Sequence, residues 1–254
     1  MAKNNWTRDE LIVAFNLYCK TPFTKINASN KSVKELAPIL GRSASAVALK
    51  LANFARLDPA LQQRNISGMT HGSKAEIEIW KDFSSNWEGL VYQSEKILAK
   101  LNNSTIESSA EINIEDLPIE GKERESFVKI RVNQYFFRKT ILASYDNRCC
   151  ITGMSIPDLL VASHIVPWAV DKKNRMNPCN GLCLNALHDK AFDKGLITIT
   201  PYYEVIVSEK LKKCRSELIA FLISFDSKKI TLPQRFLPAR EFIEYHNKFV
   251  FIDR

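Results

Sequence analysis

Twenty-two consecutive residues without one aromatic side chain, "NNSTIESSAEINIEDLPIEGKE" from Asn102 to Glu123, interrupt this 254-residue chain. Ser, Asn and Glu dominate the stretch and Pro118 and Gly121 break it, so it cannot bury the apolar surface that membership of a core requires. The sequence on either side is strongly patterned. The expected organisation is a helical module over 1–101, an acidic linker over 102–122 and a second domain over 123–254. Charge obeys the same division: residues 1–104 carry 14 basic and 9 acidic groups, 105–121 carry 5 acidic and no basic ones, and 122–254 carry 22 basic and 14 acidic. Two basic blocks flanking an acidic strip point to a polyanionic partner, nucleic acid first.

The remaining composition excludes other classes. No apolar run approaches the roughly 18 residues that a membrane span needs, and Met1 to Asp9 is polar, without the apolar core of a signal peptide. No membrane partner and a cytoplasmic setting are expected. Six cysteines at positions 19, 149, 150, 179, 183 and 214 are irregularly spaced in a long chain, which favours reduced thiols over a disulfide scaffold.

In the first block, Thr7 and Glu10 form a capping-box pattern ahead of Leu11, Ala14, Phe15 and Tyr18 at helical spacing, and Pro22 ends the run. "SVKELAPILGRSASAVALKLANFARLDP" then gives a short helix over 33–40, a turn at Gly41-Arg42-Ser43, and a second helix capped near Ser43 or Ser45 with Val47, Leu51 and Phe54 inward. This is helix-turn-helix grammar, with Arg42, Lys50 and Arg56 as candidate nucleic-acid contacts on the exposed side. The same pattern also fits a small structural bundle. Further helices are expected over 74–83 and 93–101.

In the second block, "RESFVKIRVNQYFFRKTILASY" predicts a long amphipathic helix with Phe127, Ile130, Phe137 and Ile141 on its apolar face. Arg131 and Arg138 on another face are candidate phosphate contacts. Downstream, "ASHIVPWAVDKKNRMNPCNGLCLNALHDKAFDKGLITI", Ala162 to Ile199, holds two of the chain's four histidines. His164 closes an apolar, strand-like run and His188 lies in a short helical segment, with an Asn-Pro-Cys-Asn-Gly turn between them. The spacing could bring an imidazole base, an amide and a second imidazole together, or describe an ordinary packed hairpin.

From Cys149 to Ser208 the sequence resembles the HNH endonucleases of the beta-beta-alpha-metal class, through "CCITG" at 149–153, "ASHIVPW" at 162–168, "NPCNGLCLNALHDKAFDKGLI" at 177–197 and "TITPYYEVIVS" at 198–208. The resemblance implies an α+β fold, in which a helix-turn-helix-like helical module precedes a beta-beta-alpha-metal nuclease domain. It further implies hydrolysis of phosphodiester bonds to 5'-phosphate and 3'-hydroxyl ends, and a restriction or anti-phage role. The segment "GRSASAVALKLANF" also looks like the front module of predicted restriction endonucleases that carry such a domain. Phosphodiester hydrolysis needs a deprotonated water, and a neutral imidazole is the side chain suited to take that proton near neutral pH. His164 is therefore the candidate base. A divalent cation must stabilise the charge growing on phosphate and leaving oxygen, and His188 is the candidate ligand.

The resemblance assigns Asn180 to tying the loop to the base-bearing strand, and offers Asp193 as a second metal ligand. Many HNH enzymes place an acid or histidine directly before the base; here Ser163 stands there. A serine hydroxyl is a poor ligand, which suits a water-rich magnesium or manganese site. Structural zinc is not expected, because Gly153 and Ala186 occupy positions where paired cysteines would continue. The expected activity is metal-dependent cleavage of DNA, with a homodimer cutting both strands. The alternatives are a DNA-binding regulator with a degenerate nuclease domain, and an RNA nuclease.

Overall fold

The computed structural model describes residues 5–66, 72–109 and 121–252. The chain divides into two compact units, 1–143 and 144–254.

Unit one is helical: α1 (Arg8–Lys20), α2 (Lys31–Ile39), α3 (Ala44–Ala55), α4 (Pro59–Gln63), α5 (Lys74–Phe83), α6 (Trp87–Leu101), α7 (Ile106–Ser109) and most of α8 (Lys122–Ser144). Helix α1 is the axis of the unit and packs on α3, α5 and α6. It begins as the sequence predicts: Thr7 Oγ1 accepts from Glu10 N–H and the Glu10 carboxylate accepts from Thr7 N–H, a reciprocal cap. Leu11, Ala14, Phe15 and Tyr18 are all buried. The Phe15 ring meets Phe54 at 4.8 Å and Trp80 at 5.2 Å between centroids, and Tyr18 Oη donates to Asp58 across 3.0 Å. These contacts fasten α1, α3 and α5 around one aromatic core. Between α2 and α3 the chain turns on Gly41 at φ +63°, a left-handed conformation that side chains resist. Ser43 then caps α3 through Ala46 N–H.

The helix-turn-helix pair forms, but its cations face inward. The Arg42 guanidinium bonds Glu10 at 2.9 Å with both side chains more than nine-tenths buried, and it also lies over the Trp6 ring. Lys50 pairs with the fully buried Glu76, and Arg56 reaches the same carboxylate at 3.7 Å. What α3 exposes is Ser45 and Leu49, with Ala48 and Ala52 partly covered. The reason is that Glu10 and Glu76 each sit at the third position of a helix, where their capping bonds hold them in the core, and a buried carboxylate needs a cation.

The polar strip differs from its compositional reading too. Residues 110–120 lie outside the described residues, whereas 106–109 form α7, packed on α6, and Glu107 pairs with Arg124 at 3.2 Å. The compact units part at the end of α8, one helix later than the strip. On α8 the buried side chains include Val128, Val132, Phe136, Phe137 and Ile141. Ile130, expected inside, is 46% exposed, because the buried stripe runs through 128, 132 and 136 instead. Arg131 is exposed over Phe127, and Arg138 is partly buried.

Unit two is α+β. Strand β1 (Leu160–His164) pairs antiparallel with β2 (Gly181–Asn185), from Leu160 opposite Asn185 to His164 opposite Gly181. Helix α9 (Ala186–Asp193) follows β2 directly and packs on both strands. A second hairpin, β3 (Ile197–Ile199) with β4 (Val205–Val207), leads into α10 (Glu209–Lys212), α11 (Glu217–Ile223) and α12 (Arg240–Phe249). Gly195 at φ +65° makes the exit from α9. A Cβ there would strike the Val250 carbonyl, so only glycine lets the end of the chain close over the turn. Among the described residues no helix is long and apolar enough to cross a membrane.

Candidate nuclease site

The hairpin and α9 place the chemistry-bearing groups within a single strand-strand-helix unit. His164 ends β1 where the chain leaves the ladder, and its Nε2 lies 2.9 Å from the Arg175 carbonyl. A carbonyl only accepts, so Nε2 carries the proton and Nδ1 the lone pair. Burial lowers the His164 pKa from its ordinary value. The Arg175 hydrogen bond and the Asp193 charge oppose that shift, and the Arg175 charge adds to it. The imidazole is therefore neutral near pH 7, the form a base requires. Trp168 meets the ring edge-on at 5.4 Å.

Asn180, opposite the base on the other side of the hairpin, is buried and fully used. Its Oδ1 accepts from Val166 N–H at 2.8 Å, and its Nδ2 donates to the carbonyls of Val166 and Asn174, each at 3.3 Å. Its own carbonyl accepts from Ile165 N–H. These bonds pin both ends of the loop that returns Arg175 to the base. Asn180 is a positioning residue, acting through the backbone.

Helix α9 starts at Asn185, whose Oδ1 accepts from His188 N–H at 2.9 Å and lies 3.0 Å from the His188 Nδ1. The His188 ring is buried, edge-on to Phe225 and Phe221 at 5.4 and 6.0 Å, and burial alone lowers its pKa to about 4. Among the described residues its Nε2 has no hydrogen-bond partner. Asp193 is exposed on the last turn of α9, and its charge acts on His164 and on Asp189, one helical turn earlier. Burial raises the Asp189 pKa, with the Asp193 charge adding to it; the neighbouring Ser163 hydroxyl and the Lys190 charge act the other way. Ser163 Oγ is itself buried and makes no full hydrogen bond among the described residues.

The structure thus brings His164, Asp193, Asp189 and Ser163 near one another, and buries the His188 ring beside Phe221 and Phe225. Asp189 was missed in the sequence reading. The available signal was its i,i+4 spacing to Asp193, which puts both carboxylates on one face of α9. Cys149, Cys150 and Cys183 are buried free thiols near the hairpin, with Cys179 half-buried. Among the described residues no group of three or more His, Cys, Asp or Glu side chains gathers around a metal-sized position.

Residues 149–200 match the model of the HNH endonuclease family, and the chain carries an HNH endonuclease domain there, following a helical module. Such a domain is a phosphodiester hydrolase acting on nucleic acid with a divalent metal. No curated protein matches the chain.

Proposed function

We propose that the protein is a metal-dependent DNA endonuclease in which His164 is the general base and Asp189 and Asp193 hold a magnesium or manganese ion. The observation that carries this reading is the neutral His164 imidazole, fixed through Nε2 by the Arg175 carbonyl and within reach of the Asp193 charge, with the Asp189 carboxylate one turn earlier on α9. Two carboxylates one turn apart repel each other, and a hard divalent ion with several waters relieves that repulsion. When bound, the ion neutralises charge on the phosphate and the leaving oxygen. His164 takes the proton of the attacking water at Nδ1. Asn180 and the Arg175 carbonyl keep the ring from turning, and Ser163 steadies the charged form of Asp189. His188 serves α9 by filling the space under Phe221 and Phe225.

The net charge of +8 supports a polyanionic substrate, and duplex DNA is the form proposed. The resemblance of the front module to that of restriction enzymes supports a restriction or anti-phage role in the cytoplasm. One site per chain favours a homodimer for cutting both strands. The test is a supercoiled-plasmid nicking assay, run beside RNA digestion, with magnesium, manganese and chelator. Metal-dependent nicking of DNA, abolished by chelator, is expected. A protein that leaves DNA intact with both metals, or that digests RNA alone, overturns the reading.

A further inference from the structure

Arg175 is held beside the base by contacts that leave the working edge of its guanidinium open. Its Nε donates to the Trp168 carbonyl at 2.7 Å, and its plane lies 4.9 Å over the Trp168 ring, which itself meets His164 at 5.4 Å. The Arg175 carbonyl meanwhile receives the His164 proton at 2.9 Å. One residue therefore fixes the base through its backbone and places a cation next to it through its side chain. The two terminal nitrogens carry four of the five guanidinium protons, and among the described residues they meet no carboxylate or other acceptor. The contrast with Arg42, buried against Glu10, is direct.

An arginine in this state has a reason to be there only if an anion arrives. Its charge disfavours protonation of His164, so without a counter-charge it works against the base taking up a proton. A planar fork of N–H groups matches the paired nonbridging oxygens of a phosphodiester better than any other side chain does. On the reading that His164 is the base of a nuclease, we infer that Arg175 binds the nonbridging oxygens of the phosphodiester being cleaved. It is then a catalytic residue, because it touches the reacting group.

The experiment uses the full-length protein and a duplex with one methylphosphonate at the mapped cleavage position, which removes the phosphate charge. Single-turnover cleavage with manganese is measured for the parent, Arg175→Ala and Arg175→Gln on both duplexes. The glutamine amide can still donate to the Trp168 carbonyl, so the second variant keeps the loop anchored if alanine fails to fold. On the natural duplex each variant is expected to lose roughly 100-fold to 1,000-fold, as for removal of one donor to a developing oxyanion. The methylphosphonate penalty should be large for the parent and much smaller for the variants, because the charge partner is already gone. A structural role for Arg175 instead predicts that the two losses multiply, and this result, or variants that cleave like the parent, overturns the inference while the nuclease reading stands. A parent protein inactive on the natural duplex overturns both.

Discussion

The two units treat buried charge in opposite ways. In unit one, Glu10 and Glu76 are core carboxylates, and each is answered by a cation: Arg42 for the first, Lys50 and Arg56 for the second. In unit two, around His164, the charges of Asp189, Asp193 and Arg175 close no ion pair among the described residues, and Lys190 acts on Asp189 only through its charge. Asp189 and Asp193 repel across one turn of α9, and among the described residues the Arg175 guanidinium meets no carboxylate and the buried Ser163 hydroxyl makes no full hydrogen bond. An ion pair that closes inside the protein contributes to holding helices together but has no capacity left for a ligand. A group left uncompensated costs stability and keeps that capacity. The contrast is what favours the 160–193 region as the site in our proposal, and it shows Arg42 and Lys50 engaged by Glu10 and Glu76 in fastening α1, α3 and α5.

The sharpest way to break this comparison is to remove the base. His164→Ala should lower the single-turnover cleavage rate roughly 100-fold to 10,000-fold while thermal unfolding barely moves, since the ring is only partly buried. A large fall in melting temperature with proportionate activity would place His164 among the structural groups.

Next in size is Arg42→Ala, which leaves Glu10 buried without its cation. Breaking a buried pair from one side costs about 3–5 kcal/mol, readable by urea unfolding at neutral pH. The folded fraction should cleave like the parent. Unchanged stability with weakened DNA binding would restore Arg42 as a nucleic-acid contact.

Acid should then act on unit two through its neutral histidines. His246 stacks on Phe192 at 3.7 Å, bonds Thr198 and the Phe192 carbonyl, and is depressed by burial to about 4, as His188 is. A histidine whose folded pKa lies below its unfolded value of about 6.5 contributes stability that is complete above pH 6.5 and is lost as pH falls toward 4. The expected loss is on the order of 2–3 kcal/mol per histidine. Urea unfolding at pH 7 and pH 4.5 measures it, and His246→Gln should flatten the dependence; a parent equally stable at both pH values would contradict the buried neutral state.

The smallest effect expected sharpens the comparison most. Asp189→Asn removes one of two repelling charges, so the protein should be no less stable, or more stable by up to about 1 kcal/mol. Manganese should be needed at roughly 10-fold to 100-fold higher concentration for cleavage, taking the usual cost of disturbing a metal site. Loss of stability without any change in metal demand would make Asp189 a structural acid.

By itself the sequence determined the elements and the family of the 149–200 domain. The capping box at Thr7 and Glu10, the turn at Gly41, the strand ending at His164 and the helix begun by Asn185 are all local signals, because capping and backbone conformation depend on residues within a turn of one another. The motifs between Cys149 and Ser208 likewise carried the resemblance to the HNH endonucleases, whose family model matches residues 149–200. Tertiary structure decided which polar side chains face which. Nothing near Arg42 or Lys50 in the chain announces that Glu10, 32 residues away, and Glu76, 26 residues away, will claim them. Asp189 and His188 are neighbours in sequence, yet the helix points them about 100° apart. Only the packing of β1 on one side and of Phe221 and Phe225 on the other settles that the carboxylate meets Ser163 and the imidazole is buried. Local preference sets where a helix starts, whereas the direction of a charge depends on partners that folding brings from elsewhere in the chain.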